Sequence, residues 1–271
     1  MIYRFAAIAA ASLLAAMPAA AQEEPPKPVT VSANVALVSD YRFRGVSQSD
    51  KQAALQGGVT VAHESGVYAG AWASNLAGWG TFGGANLELD LFAGIKKPIA
   101  SGTTIDIGVT WYMYPGGAET TDFAEPYIKL GKTIGPANLL AGIAYAPKQK
   151  ALGNFSNTPQ SRGQAQDNLY LWGDANIGIP RTPLTAKAHL GHSNGNPGLG
   201  PNGTSVTPTG EYFDWSLGVD YVIGPVTLGV SYVDTDIGKA RSAYLLPNFA
   251  STKNGSSIAD ATALFSVSAA F

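Results

Sequence analysis

The chain has 271 residues, enough for one large all-β domain or two small ones. Hydrophobic residues make up 45% of it and charged residues only 13%, which is about half the charged share of a soluble domain. The absence of cysteine excludes a disulfide framework and thiol catalysis, and the net charge of −2 gives no indication of a nucleic-acid partner.

The first 21 residues carry the three parts of a secretory signal peptide. Arg4 precedes an apolar run, Phe5–Met17, and Ala19–Ala21 supply the small residues of a cleavage site. A membrane anchor is the alternative, because the apolar run approaches the shortest length that spans a bilayer. The small-residue site favours cleavage, so we predict a signal peptide at 1–21 and a short polar lead at 22–28.

A β-strand is predicted immediately after this lead. From Val29 to Phe43 the odd positions are nearly all apolar, whereas the even positions include asparagine, aspartate, arginine, serine and threonine. A period of two over this length indicates a strand with one apolar and one polar face. The polar face of this strand would carry Asp40, Arg42 and Arg44.

The same alternation recurs along the rest of the chain. It is clearest near 84–95, 103–114, 167–179 and 211–224, and in the last segment, Ala259–Phe271. Weaker strands are predicted at Ala54–Glu64, Val67–Leu76, Phe123–Lys132, Ala137–Tyr145, Leu184–Gly191 and Val226–Asp234. Together with the first strand the prediction comes to twelve.

Two of the weaker strands leave questions of register. In Val67–Leu76 the pattern does not decide whether the valine and alanine positions or the positions of Tyr68 and Trp72 face outward. Pro126 has no backbone N–H to donate, so the strand at Phe123–Lys132 is expected to begin late or to contain a bulge.

The lengths of the connections indicate the architecture. Turns after the even-numbered strands are short, whereas most connections after the odd-numbered strands are longer, and the last three span Ala146–Gln166, His192–Glu211 and Thr235–Ile258. Short turns at one end and long loops at the other are typical of an up-and-down transmembrane antiparallel β-barrel. A soluble β-sandwich also alternates, but nothing in it would place long loops on every second connection. We predict a barrel over 29–271 with both termini at the periplasmic end.

Aromatic residues support the membrane interpretation. They cluster near predicted outer strand ends at Tyr41, Phe43, Trp111, Tyr145, Phe213, Trp215 and Tyr232, and near inner ends at Tyr221 and Phe271. Such clusters resemble the interfacial girdles of outer-membrane barrels. The last strand, which ends on Phe271, resembles the C-terminal signal that the barrel-assembly machinery reads. The expected partners are therefore this machinery, outer-membrane lipids and small hydrophilic solutes, with a homo-oligomer left open and no nucleic acid.

A longer stretch, from Ser32 to Asn75, resembles the start of the TorF-type porins, also known as the Gcw_chp family. The most specific parts are SDYRFRGVSQSD, at Ser39–Asp50, and GVYAGAWASN, at Gly66–Asn75. The resemblance extends over essentially the mature chain. It implies an outer-membrane porin, located in the bacterial outer membrane, and implies nothing about the solute.

Charged side chains on the predicted inner face suggest selectivity. The residues expected to line the lumen are Asp40, Arg42, Arg44, Glu88, Asp90, Asp106, Glu125, Lys129, Asp174, Lys187, Asp214 and Asp220, with Asp260 near the outer mouth. Acids outnumber bases in this set. We therefore predict a porin-like channel for passive diffusion of small polar or charged solutes with a modest cation preference. Alternatively, the acids and bases pair and only stabilise the barrel.

Other functions have weaker support in the sequence. The two G-x-G-x-x-G matches, Gly78–Gly83 and Gly198–Gly203, do not open a helix in a βαβ unit, so no nucleotide cofactor is predicted. His189 and His192 fall on opposite faces of a strand, so no metal site is predicted. A structural or adhesive barrel with functional loops stays an alternative. An outer-membrane lipid hydrolase is less favoured, because His63 has no serine and asparagine that must converge on it, and we predict no enzyme.

Overall fold

In the computed structural model, twelve of fourteen strands close into one antiparallel barrel. The structure describes residues 28–154, 164–197 and 206–271. The predicted signal peptide, nearly all of the polar lead and the glycine motif at Gly198–Gly203 lie outside these residues. Each barrel strand pairs with its neighbours in chain order, which confirms the predicted up-and-down architecture and its strand number.

The elements have the following bounds. The barrel strands are β1 (Val29–Val38), β4 (Ala54–His63), β5 (Val67–Asn75), β6 (Leu87–Ala100), β7 (Thr103–Met113), β8 (Phe123–Ile134), β9 (Ala137–Gln149), β10 (Gln166–Gly178), β11 (Leu184–Gly195), β12 (Glu211–Ile223), β13 (Val226–Thr235) and β14 (Thr262–Ala270). A short ribbon consists of β2 (Arg42–Phe43) and β3 (Val46–Ser47), and the helices are α1 (Lys150–Asn154) and α2 (Lys239–Ser242). None of the helices in the described ranges is long and apolar enough to cross a membrane.

The first and last strands close the barrel. β1 pairs with β14 from Asn34 opposite Ala270 to Val38 opposite Ser266. Beyond this register, Ala33 and Phe271 exchange both backbone hydrogen bonds, at 3.0 and 2.8 Å. Closure matters because an open edge would leave a row of unpaired N–H and C=O groups exposed to lipid.

The outer surface of the wall is apolar. Large hydrophobic side chains are exposed on every barrel strand, among them Leu37 on β1, Leu217 on β12 and Phe265 on β14. Trp111, Tyr145, Phe213, Tyr221 and Tyr232 are also exposed and point away from the lumen. An outward apolar surface flanked by aromatic residues is the surface that a lipid bilayer requires of a barrel.

Tyr41 and Phe43 do not belong to this outer surface, and their predicted place on the first strand is wrong. β1 ends at Val38, and the following segment turns into the barrel, where Tyr41 is 4% and Phe43 is 8% exposed. The reversal occurs at Arg44 and Gly45, whose φ angles of 49° and 79° cannot continue a strand. A Cβ on Gly45 would lie 3.0 Å from the Cβ of Asp214, so the turn also approaches β12 closely.

The inner wall carries aromatic rings that cover glycines on neighbouring strands. Directly paired positions of this kind are Trp72 with Gly58, Phe92 with Gly70, Tyr68 with Gly94, Tyr127 with Gly108 and Trp172 with Gly142. A ring placed across a glycine covers backbone that has no side chain of its own. This arrangement settles the face of β5 that the sequence left open, because Tyr68 and Trp72 are buried and point inward.

The proline in β8 interrupts only one of its two ladders. β8 pairs with β7 continuously, including Pro126 opposite Val109, whereas its pairing with β9 begins only at Tyr127. Ahead of that point the Gln149 side chain replaces the ladder: its Oε1 accepts from Ala124 N–H at 2.7 Å and its Nε2 donates to Ala124 O at 2.9 Å. The prediction that this strand begins late is therefore correct for its pairing with β9 and wrong for its pairing with β7.

We expect substitution of a ring-covered glycine to weaken the wall. A Cβ at Gly94 would lie 2.5 Å from the Tyr68 hydroxyl oxygen and 2.7 Å from the Ile107 carbonyl oxygen. Gly94→Ala should therefore cost about 1–3 kcal/mol of unfolding free energy, as overpacking generally does. The control is Gly173→Ala, where the nearest heavy atom would be 3.6 Å away. Urea unfolding in lipid vesicles would measure both, and equal stabilities would contradict the close-packing argument.

The long loops are expected to face the outside of the cell. Ser101 lies in the short β6–β7 turn and Asn254 in the long β13–β14 loop, and both are exposed. Because the chain has no cysteine, a single introduced thiol is labelled specifically. A large impermeant maleimide should label Asn254→Cys on intact cells and Ser101→Cys only after the outer membrane is opened. The opposite pattern would reverse the orientation.

Candidate functional site: the plugged lumen

The segment between β1 and β4, residues 39–53, fills the lumen at the long-loop end and is called the plug below. All residues from Asp40 to Asp50 are buried. Two other long loops pack over it, because Val46 of the plug belongs to the same apolar cluster as Trp79, Leu245 and Phe249. The rings of Trp79 and Phe249 meet edge to face at 4.8 Å.

Asp40 organises the plug internally. Its Oδ2 accepts from Arg42 Nε at 2.7 Å, and its Oδ1 accepts from the hydroxyls of Ser47 at 2.5 Å and Ser49 at 3.1 Å. Arg42 also donates from Nη1 to the carbonyl oxygens of Gly45 and Asp260. Asp40 and Arg42, two of the predicted lumen-lining residues, are therefore bound to each other within the plug.

Arg44 fastens the plug to the far wall of the barrel. Its Nη2 donates to both carboxylate oxygens of Glu125 on β8, at 2.7 and 2.8 Å, and its guanidinium carbon lies 4.0 Å from the ring centroid of Tyr170 on β10. The Tyr212 hydroxyl on β12 donates to the Arg44 carbonyl oxygen at 3.0 Å. Burial by itself lowers the pKa of Arg44, but the charge of Glu125 outweighs it, so the pKa lies above its usual value and the charge is permanent.

Glu88 and Asp90 lie on β6 beside the plug. Each is 1% exposed. Glu88 Oε1 accepts from the Tyr41 hydroxyl at 3.0 Å, whereas the Oδ1 atom of Asp90 is enclosed and has no hydrogen-bond partner among the described residues. Of the acids predicted to line the lumen, Glu88 and Asp90 therefore have the fewest partners that could balance a negative charge.

Below the plug, towards the short-turn end, one wall combines acidic and basic groups. The hydroxyl of Tyr68 contacts Asp106 Oδ1 and the Tyr127 hydroxyl, both at 2.5 Å, and the Lys129 ammonium lies 3.9 Å from the Tyr127 ring centroid. Lys96 on β6 is directly opposite Asp106 on β7. The sequence prediction missed Lys96 because it ended the strand at Ile95, although the even positions that carry Glu88 and Asp90 continue to residue 96.

The opposite wall has a histidine at the centre of its network. His189 Nδ1 lies 2.6 Å from Asp174 Oδ1, and its Nε2 lies 3.1 Å from Asp214 Oδ1 and 2.9 Å from the Tyr170 hydroxyl. His189 was not among the residues to which the sequence analysis assigned selectivity. The strand period alone identifies it, because it shares the parity of Lys187. His192 is on the other face, 3.0 Å from Glu211.

The accessibility of these groups changes along the barrel axis. The side chains of Arg44 and Glu125, at the plug, are both 4% exposed. Lys187 and Asp220, which form a 3.1 Å ion pair nearer the short turns, are both 17% exposed, and His189 is 26% exposed. The lumen is therefore closed by the plug at one end and accessible to solvent at the other.

Residues 22–271 match a family model described as "Bacterial protein of unknown function (Gcw_chp)". The chain belongs to the Gcw_chp family. The match covers the plug as well as the barrel, so the plug is part of the segment that the family model describes. No curated protein matches the chain.

Solved structures similar to this one are outer-membrane barrels. A KdgM porin shares 9% sequence identity, with 89% of this chain and 99% of that chain covered and a TM-score of 0.52. An outer membrane channel from Pseudomonas putida F1 shares 10% identity over 92% of this chain and 96% of that chain, with a TM-score of 0.45. At such low sequence identities the similarity shows the fold alone. Of these two structures, the KdgM porin is similar enough to support the fold.

The Arg44–Glu125 pair is expected to dominate the stability of the plug. Removing one partner leaves an uncompensated buried charge, which generally costs about 3–5 kcal/mol, whereas replacing both by apolar residues is often close to neutral. Arg44→Met and Glu125→Leu should each lower the unfolding free energy strongly, and the double variant should recover most of the loss. A double-mutant cycle by urea unfolding measures this coupling. Additive losses would show that the pair does not act as a unit.

Proposed function

We propose that the protein is a porin-like channel of the bacterial outer membrane, through which small polar or charged solutes diffuse passively with a modest cation preference. We also propose that the Gcw_chp family is the group of TorF-type porins whose start the segment Ser32–Asn75 resembles. Its partners in this proposal are outer-membrane lipids, small hydrophilic solutes and, through Phe271, the barrel-assembly machinery. The proposed activity is transport and not catalysis.

One observation supports the proposal most directly: an apolar wall encloses a lumen lined by charged and hydroxyl-bearing side chains. A barrel that served only as a scaffold would need inward charges only in pairs, since buried charges cost free energy unless they are paired. The partly exposed Lys187, Asp220 and His189 indicate that water reaches the lower lumen. Fixed charges in such a space act on passing ions.

The expected cation preference is smaller than the sequence suggested. Lys96 adds a positive charge to the lumen, and Asp260 is exposed in a loop and does not contribute. Arg44 neutralises Glu125, and Lys187 neutralises Asp220. Glu88 and Asp90 have no such basic partner in the described chain, and we assign the remaining negative potential to them.

The plug limits the path at the long-loop end. A wall of twelve strands is too wide to be filled by its own inward side chains alone, since eight strands already leave an interior that side chains just fill. The plug occupies this extra space, and the contacts of Arg44 with Glu125 and of Tyr41 with Glu88 join it to the inner wall. The conductance of the unmodified channel should therefore be low and should rise when the plug is loosened.

Planar-bilayer recordings test this function with three variants. Arg44→Ala should raise the single-channel conductance and strengthen the cation preference, because it both frees the plug and removes a positive charge. Glu88→Gln with Asp90→Asn should weaken the preference. Asp260→Asn, which removes an exposed loop charge, is the control and should match the unmodified protein. The differences should shrink at 1 M salt, where the screening length is about 3 Å. Absence of conductance in all of them would reject a channel in favour of a structural barrel.

A further inference from the structure

Asp90 is the most anomalous buried group in the described chain. It is 1% exposed, its Oδ1 is fully enclosed, and no described residue donates a hydrogen bond to that atom. Its cross-strand neighbours are Trp72 on β5 and Tyr112 on β7. A carboxylate enclosed by aromatic rings without a donor is costly, so it requires either a proton or a cation.

Glu88 adds a second carboxylate on the same inner face. It lies two positions before Asp90 on β6, so the two side chains project in the same direction. Tyr41 donates one hydrogen bond to Glu88 Oε1. Arg44 of the plug donates two hydrogen bonds to Glu125 and none to Glu88 or Asp90. The pair therefore has no arginine or lysine bound to it among the described residues.

Glu88 lines a small cleft at the long-loop end of the lumen. The cleft is bounded by the plug, by the loop after β5 and by the start of β12, and aromatic side chains make up about half of its lining. The lining residues are Phe43, Val46, Gln48, Trp79, Phe82, Glu88, Tyr114, Val206, Pro208 and Tyr212. Aromatic faces attract cations, most strongly where water is excluded. Glu88 is the one carboxylate among these lining residues, and Asp90 lies two positions further along β6.

We propose that Glu88 and Asp90 bind a small monovalent cation, either an alkali ion or a primary ammonium group, beside this aromatic cleft. A divalent metal fits less well, since calcium takes six to eight oxygen ligands and the described residues contain no group of three or more metal-ligating side chains suitably placed. Two carboxylates beside aromatic rings match a single, weakly hydrated positive charge. The role of this site in selectivity rests on the channel function proposed above, but the binding itself does not.

Thermal unfolding of the purified, folded barrel in detergent tests the binding. Potassium chloride or methylammonium chloride is titrated against N-methylglucamine chloride at constant ionic strength, so that only the identity of the cation changes. A cation that binds the native state raises the unfolding midpoint with the logarithm of its concentration. We expect this rise in the unmodified protein, its loss in Asp90→Asn, and its retention in Asp220→Asn, which removes an acid from another part of the lumen. Potassium and methylammonium titrations separate the alkali ion from the ammonium group.

Infrared spectroscopy provides a second test, because it reports the protonation state of the carboxyl groups directly. A bound cation requires Asp90 to be ionised, so no carbonyl band of a protonated carboxylic acid should be assignable to it in potassium or methylammonium. Such a band, present with every cation and absent only from Asp90→Asn, would overturn the proposal and show a neutral acid. A midpoint that is the same in all three salts would overturn it too.

The two proposals fail separately. If the cation stabilises the unmodified protein but not Asp90→Asn, and the bilayer recordings show no conductance, the binding site is retained and the channel is rejected. Conductance combined with a midpoint independent of the cation would keep the channel and reject the site.

Discussion

The structure depends on one constraint: every backbone N–H and C=O of the wall must find its partner within the wall, because lipid offers none. The pairing of β1 with β14 and the exchange of hydrogen bonds between Ala33 and Phe271 satisfy it at the seam. In a closed barrel, successive side chains of each strand point alternately to the outer surface and to the lumen. An apolar exterior therefore creates a polar interior, and the charges of the lumen follow from the same alternation that adapts the wall to lipid.

A closed wall of this width then has an interior to fill. Rings laid over glycines, such as Tyr68 over Gly94, thicken the wall but leave its centre open. The plug occupies the centre at one end, and because it is polar it has to bring counter-charges with it. Arg44 supplies one to Glu125, and Asp40 and Arg42 satisfy each other. The pairs that neutralise buried charge are thus the same pairs that hold the plug in place.

The period of two was sufficient to predict twelve strands, the alternation of turns and loops, and the face of most side chains, because these depend on local pattern alone. The plug could not be predicted in this way. Residues 39–44 alternate like the strand before them, and only the turn at Arg44 and Gly45 diverts them. The contacts that make the diversion favourable are distant in the chain, since Arg44 is 81 residues from Glu125 and 168 from Tyr212. Lys96 was missed for a local reason, the early end assigned to its strand.

This arrangement links the position of the plug to the net charge of the lumen. While the plug is seated, Arg44 cancels the charge of Glu125, whereas Glu88 and Asp90 have no basic partner among the described residues. Any movement that withdraws the plug also withdraws Arg42 and Arg44, and it leaves Glu125 on the wall without its partner. The lumen then becomes wider and more negative in the same step. Tyr41 leaves Glu88 in that movement as well, so Glu88 and Asp90 have the fewest compensating partners when the plug is withdrawn.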